Sequence, residues 1–407
     1  MTITEANDEK RQVATAGVSA VAGAPRRAFL NPAYDIEREP LETRRTSQWY
    51  AKPYRRRISE YESLLLYAQS APDWIPGALG VGGFCNKFSG GRAPWENYTT
   101  EAKSSDWFVF RDPSGRGQPT FVAQKAAENE EATRVFAAYA EQGMYRDLDS
   151  EWTFDVIAKV YGAYAHHEYG IFGLLQSPQR DVLTDVLRQA VITGAMDKLD
   201  NAEMIQAERV FLSKNVEGFC EDMALSRDCW LTDPAFQTAR GIIEQLWNDV
   251  YDHIEIMFAI FMVHEPLFGR FARQQFFHRM APLHGDQLTP ANLWPTITAA
   301  EIDAKWALEL FGHALGQDPK FGEHNRALMQ LWARDWMAKS VTAMAEFAPM
   351  FARTSTLRSH ASVETVTEAA NIVVGDWARR YAPVFGLDVD VDDLVKVVTG
   401  GFAKSGA

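Results

Sequence analysis

The chain has 407 residues with 46% hydrophobic and 23% charged side chains, enough apolar material for a sizeable core and no sign of an independent second unit. Its formal charge of −13 argues against non-specific nucleic-acid binding, which needs a positive surface. Three cysteines (Cys85, Cys220 and Cys229) with no Cys-x-x-Cys exclude a disulfide framework and a thiolate zinc site.

In chain order, residues 1–28 are small, polar and Gly/Ala-rich, and read as a flexible arm. Glu5, Asp8 and Glu9 give the start the wrong polarity for a signal peptide, and the longest apolar run, Ile256 to Val263, is too short to span a bilayer. A soluble cytoplasmic protein is expected. Residues 29–58 carry Tyr34, Trp49, Tyr50 and Tyr54 among prolines, an extended aromatic segment with no helix of its own to bury it. Residues 1–58 are thus read as an N-terminal arm and 59–407 as one helical domain. Arg44, Arg45, Arg55, Arg56 and Arg57 read as an ion-pair patch in so acidic a chain, with phosphate contact as the alternative.

Ser59 and Glu62 form a capping box for a helix that stops by Pro72. Residues 73–115 mix glycines with Trp74, Trp95 and Trp107, an irregular loop without the Gly-Lys-Ser/Thr ending of a phosphate loop. From Gln118 onward the pattern is helical. Helices are predicted over 120–145, from Asp149 to Leu175, and from Pro178 to about 215. Asp233 and Pro234 open another, which Pro266 breaks or kinks, and a shorter helix follows over 267–281. Thr289-Pro290 opens 291–316, Asp318-Pro319 opens a helix ending near Arg353, and two more cover 362–382 and 390–403. With no alternating strand pattern, the fold class is all-α.

The stretch 149–215 carries the functional argument. Ile157, Tyr161, Tyr164, Glu168, Ile171 and Leu175 recur at helical spacing, so one carboxylate stands in an apolar stripe. Met196, Leu199, Glu203, Gln206 and Val210 repeat the pattern on the next helix. A four-helix bundle that holds two irons draws a Glu from each of two helices and a Glu-x-x-His pair from each of the other two. Here Glu168 stands as the lone Glu, and Glu203 with Gln206 puts an amide where an imidazole should be. Glu255 and Glu301 supply the remaining carboxylate-like places, with Ala304 three residues after Glu301. No Glu or Asp in the chain is followed by His at the third position. His166 and His167 are adjacent and point to different sides, and His253 and His264 do not complete a site with Glu255 and Glu265. The expectation is a di-iron scaffold without its metal site: no catalytic, cofactor-binding or metal-binding residue is assigned. For any single carboxylate the plain alternative is a core Glu hydrogen-bonded to a facing helix.

Several words of the sequence carry a resemblance. From Tyr54 to Pro113 they are Glu60-Tyr61-Glu62, Tyr67-Ala68-Gln69, Pro72-Asp73-Trp74-Ile75, Lys87-Phe88, Gly90-Gly91-Arg92, Trp95, Thr99-Thr100-Glu101, Asp106-Trp107 and Arg111-Asp112-Pro113. Further on come Glu168-Tyr169-Gly170, Asp197-Lys198-Leu199-Asp200, Met204-Ile205-Gln206, Glu208-Arg209, Phe268-Gly269, Phe276-Phe277 and Leu288-Thr289-Pro290. Collinear over roughly residues 50–400, they closely resemble the β subunit of soluble methane monooxygenase hydroxylase. The resemblance implies a ferritin-like helical subunit, paralogous to a catalytic α subunit, that has lost the iron ligands. It also implies partners: α and γ subunits in an α2β2γ2 assembly, a regulatory protein, and a reductase carrying flavin and an iron–sulfur centre and using NADH. The di-iron centre would lie in the α subunit. Val81 to Cys85 replace a loop that carries tryptophans in the methane enzymes, which widens the implied substrates to short alkanes or alkenes. Two other readings stay open: a self-sufficient di-iron protein with unusual ligands, and a helical binding module unrelated to oxygenases.

Overall fold

The computed structural model describes residues 100–404 apart from 108, 183 and 361, and the readings made for residues 1–99 lie outside it. Among the described residues there is no strand, and the all-α, ferritin-like class holds. Helix α1 is Gln118–Gln142. Helix α2 joins a wide-turn π segment, Trp152–Tyr161, to Gly162–Leu174, and its first turn is capped by the Asp149 carboxylate, which accepts from the Trp152 N–H at 2.9 Å. Helix α3, Asp185–Asn215, is capped by Thr184. Pro178 therefore belongs to a separate short helix, Gln176–Asp181, and does not open α3.

Helices α4 (Met223–Thr232) and α5 (Gln237–Asn248) follow. The long helix predicted from Asp233 ends at Asn248, and a new one starts where the Asp252 carboxylate accepts from the Ile254 N–H at 2.9 Å. This helix, α6, runs through His253–Met257, Phe258–Gly269 and Phe271–His278. Pro266 does not break it. A proline removes its own N–H and crowds the carbonyl one turn earlier, and the π-wound turns around it accommodate both while the chain remains helical to His278. Helix α7 comprises Leu288–Leu308 and a π-wound end, Glu309–Leu315. Helices α8 (Gly322–Phe347), α9 (Val363–Arg380) and α10 (Val391–Lys404) complete the layer on the far side of α6.

Helices α2, α3, α6 and α7 form the central bundle. The sequence Phe258-Ala-Ile-Phe-Met-Val is apolar on every face because α6 is buried all round, with α7 on one side and α8 and α9 on the other. Phe236, Phe268, Phe271, Phe276 and Phe277 gather around the Phe347 ring at the end of α8, with ring centroids 5.3–6.4 Å away, which fastens the outer layer to the bundle. No helix among the described residues is long and apolar enough to cross a membrane.

Candidate functional site: an ion-paired bundle centre

The apolar stripe read on α2 faces inward as expected: Ile157, Tyr161, Tyr164, Glu168, Ile171 and Leu175 are all buried. The stripe read on α3 faces outward. Met196 and Val210 are 39% and 38% exposed and Glu203 lies on the surface, while Gln206 is half-buried and accepts from Arg209 at 2.6 Å. The inward face of α3 is Asp197, Lys198, Asn201, Ile205, Glu208 and Arg209. Hydropathy assigns such residues to solvent, and it fails where every charge finds an internal partner.

Glu255 and Glu301 also miss the centre. The Glu255 carboxylate accepts from the Trp336 indole at 3.2 Å, and Glu301 pairs with Arg380 of α9 at 3.0 Å. On α6 and α7 the buried acids are Glu265 and Asp303, which the sequence reading did not assign to the site.

At the centre, Glu168 accepts from the Arg273 guanidinium at 2.8 Å and from the Asn201 amide at 3.1 Å, with the Lys198 ammonium 3.3 Å away. Glu265 holds Lys198 on the same oxygen that takes a second Arg273 nitrogen at 3.1 Å. Arg273 also donates to the Tyr164 hydroxyl at 3.2 Å. Two carboxylates thus face two cations, each of the four side chains at most 7% exposed, so the cluster closes near neutrality. Burial alone would raise the Glu265 carboxyl and lower the Lys198 ammonium, but the facing charges outweigh it: Lys198 and Arg273 hold Glu265 well below the carboxylate range, and Glu168 and Glu265 raise Lys198.

Beside this cluster, the Nε2 atoms of His167 and His264 lie 2.9 Å apart, and His264 Nδ1 is 3.3 Å from the Ser340 hydroxyl. Burial holds both imidazoles neutral by dropping their pKa to about 3. His166, on the other side of α2, meets the Ser226 hydroxyl at 3.4 Å, so the adjacent histidines do diverge.

Two further networks flank the centre. Asp197 takes Arg116 at 2.7 Å and Lys125 at 2.8 Å, tying α1 to α3. Glu208, raised well above its ordinary value by burial and by Asp286, meets the Thr289 hydroxyl at 2.6 Å, and that hydroxyl is also 2.6 Å from Asp286. One hydroxyl proton cannot serve two carboxylates, so the geometry fits a protonated Glu208 donating to Thr289, which donates to Asp286.

As a di-iron centre the donor set does not fit. His167, Glu168 and Glu265 have ligand atoms within 4.8 Å of one another, but three of the four oxygens of Glu168 and Glu265 are held by Lys198, Arg273 and Asn201. The Glu-x-x-His spacing on the inward face of α3 is filled by Lys198 and Asn201, a cation and an amide.

Fold and centre together define a ferritin-like helical bundle with a buried, ion-paired centre. A family model described as Methane/Phenol/Alkene Hydroxylase matches residues 86–318. The chain is 37% identical over 364 residues to the methane monooxygenase component A beta chain of Methylosinus trichosporium, covering 89% of this chain and 92% of that one. It is 36% identical to the Methylococcus capsulatus beta chain over the same share of each. The propane 2-monooxygenase hydroxylase small subunit of Mycolicibacterium smegmatis is 28% identical, covering 74% of this chain and 80% of that one. Two solved structures share the fold: toluene 4-monooxygenase with bound toluene (TM-score 0.61, 17% identity, 78% of this chain and 100% of that one) and phenol hydroxylase from Pseudomonas sp. OX1 (TM-score 0.63, 16% identity, 85% and 98%). The chain belongs to the methane/phenol/alkene hydroxylase family. Within it, the chain is a beta-type, non-catalytic subunit of a multicomponent monooxygenase, which sets aside the unrelated binding module.

Proposed function

We propose that this chain braces the iron-bearing α subunit of a cytoplasmic hydroxylase that oxidises methane or other short hydrocarbons, and itself holds no metal and no active site. The observation that carries the reading is the seating of Lys198 and Arg273 on Glu168 and Glu265, which spends the bundle's central carboxylates on internal cations. Oxygen activation then belongs to a di-iron centre in the α subunit. Electrons come from NADH through the flavin and iron–sulfur centre of a reductase, with a γ subunit and a regulatory protein completing an α2β2γ2 hydroxylase system. Surface aromatics support a large partner: Trp294 on α7 is 62% exposed and Trp247 at the end of α5 is 56% exposed.

Co-expression with and without a hydroxylase large subunit that carries two Glu-x-x-His motifs tests this. The chain should co-purify with that subunit, and NADH-dependent hydrocarbon oxidation should require both. Turnover by this chain with the reductase alone would instead favour a self-sufficient di-iron protein.

A further inference from the structure

We propose that His167, Glu168 and Glu265 form a latent site for one divalent first-row transition ion, and that the Lys198 ammonium occupies the ion's place. The inference rests on the reading that the native chain carries no metal, and adds what keeps the metal out. Three donors from two helices, one imidazole and two carboxylates, converge with ligand atoms within 4.8 Å, a set suited to Co2+, Zn2+ or Fe2+. Three buried potential donor atoms in the cluster are left over after the ion pairs are made: Glu265 Oε1, His167 Nδ1 and Asn201 Oδ1 have no hydrogen-bond partner. Glu208 and Asp286, by contrast, engage both oxygens, on Thr289, Asn292, Trp152 and backbone N–H groups.

Space is also kept open. A Cβ on Gly269 would sit 2.5 Å from Glu265 Oε1, so the glycine leaves the carboxylate its position one turn away on α6. A cleft reaches the edge of the cluster: it is lined by the half-buried Glu301–Arg380 pair, Arg273 and Glu265. Lys198 reaches both carboxylates at once, Glu168 at 3.3 Å and Glu265 in a still closer contact, which is the bridging place a shared ion would take. Arg273 also contacts both carboxylates and stabilises one negative charge whether the bridging partner is an ammonium or a metal. His264 behind His167 supplies the outer contact that orients a ligating imidazole.

The test is Co2+ uptake by the full-length chain, read by its visible d–d absorption and by metal analysis after dialysis. Wild type should retain less than about 0.1 equivalent and Lys198→Ala about one equivalent, since freed carboxylates and a neutral imidazole bind without losing a proton. Adding His167→Ala to the lysine variant should cut the affinity by roughly 10-fold or more. Should Lys198→Ala not fold, Lys198→Met keeps the volume of the stem, and recovery of helical circular dichroism on refolding with Co2+ would support the site. Folded lysine variants that take up no Co2+, or unfolded ones that Co2+ does not recover, would overturn it. Stoichiometric iron in the wild-type chain would be a different failure, sinking the non-catalytic reading itself.

Discussion

At the residue scale the centre of the bundle behaves as one unit of charge. Removing one member of a buried pair leaves the other uncompensated, which typically costs about 3–5 kcal/mol. Arg273→Met should therefore destabilise the chain by roughly that amount in urea denaturation; a loss under ~1 kcal/mol would mean that solvent reaches Glu168. Glu208 should behave in the opposite way. Because the Thr289 hydroxyl shared with Asp286 calls for a proton on Glu208, and burial raises that carboxyl, Glu208→Gln keeps a donor toward Thr289 and an acceptor for Asn292, and should shift stability by no more than about 1 kcal/mol. A drop several times larger would place a charge on Glu208.

The histidine pair gives a pH dependence with a definite sign. His167 and His264 have folded pKa values near 3 against about 6.5 in an unfolded chain. The folded state binds fewer protons, so their contribution is fully present above pH ~6.5 and is lost as pH falls toward 3. Glu265, held low by Lys198 and Arg273, loses its contribution over the acid end of the same range, below about pH 4.5. His167→Phe should flatten the stability slope between pH 5 and 6 by up to about 1 kcal/mol per pH unit, one proton's worth. An unchanged slope in urea titrations would show that His167 is protonated or solvated in the fold.

At the element scale, much was legible and the failures share a cause. The α2 stripe of Tyr161, Tyr164 and Glu168 was readable because its apolar neighbours mark the inward face. The α3 stripe was read on the wrong face because the inward side chains, Asp197, Lys198, Asn201, Glu208 and Arg209, are polar and become buriable only through partners on other helices. Spacing within one helix contains no record of those partners. The same blindness hid Glu265 and Asp303, and no local signal distinguishes them from Glu255 or Glu301. The π-wound stretches of α2 and α6 were equally unreadable, since tertiary packing selects them. Arg209 donating at 3.0 Å to the Ala158 carbonyl inside the π segment of α2 is one such contact.

The docking of α10 on α8 depends on Gly401, whose missing side chain lets the helix lie against the Ala345 carbonyl. Gly401→Leu should undock α10 while leaving the bundle folded. Hydrogen exchange would then accelerate over 391–404 and stay slow over 253–278; protection that persists in α10 would mean that the contact can relax.

At the scale of the whole molecule, the chain keeps the fold of an oxygenase while its central carboxylates neutralise side-chain cations. Its family relation and its exposed aromatics both point outward, to partner subunits, for its role. The absence of any Glu-x-x-His was the sequence's clearest functional signal, although the residues first set against that template, Glu203, Gln206, Glu255 and Glu301, turned out to lie off the centre. The most direct measurement is iron per chain in the full-length protein, expressed without its partners in iron-replete medium and counted by metal analysis and Mössbauer spectroscopy. The account predicts less than about 0.1 iron per folded chain and no di-iron signal. About two irons per chain, lost on Glu168→Ala, would contradict it.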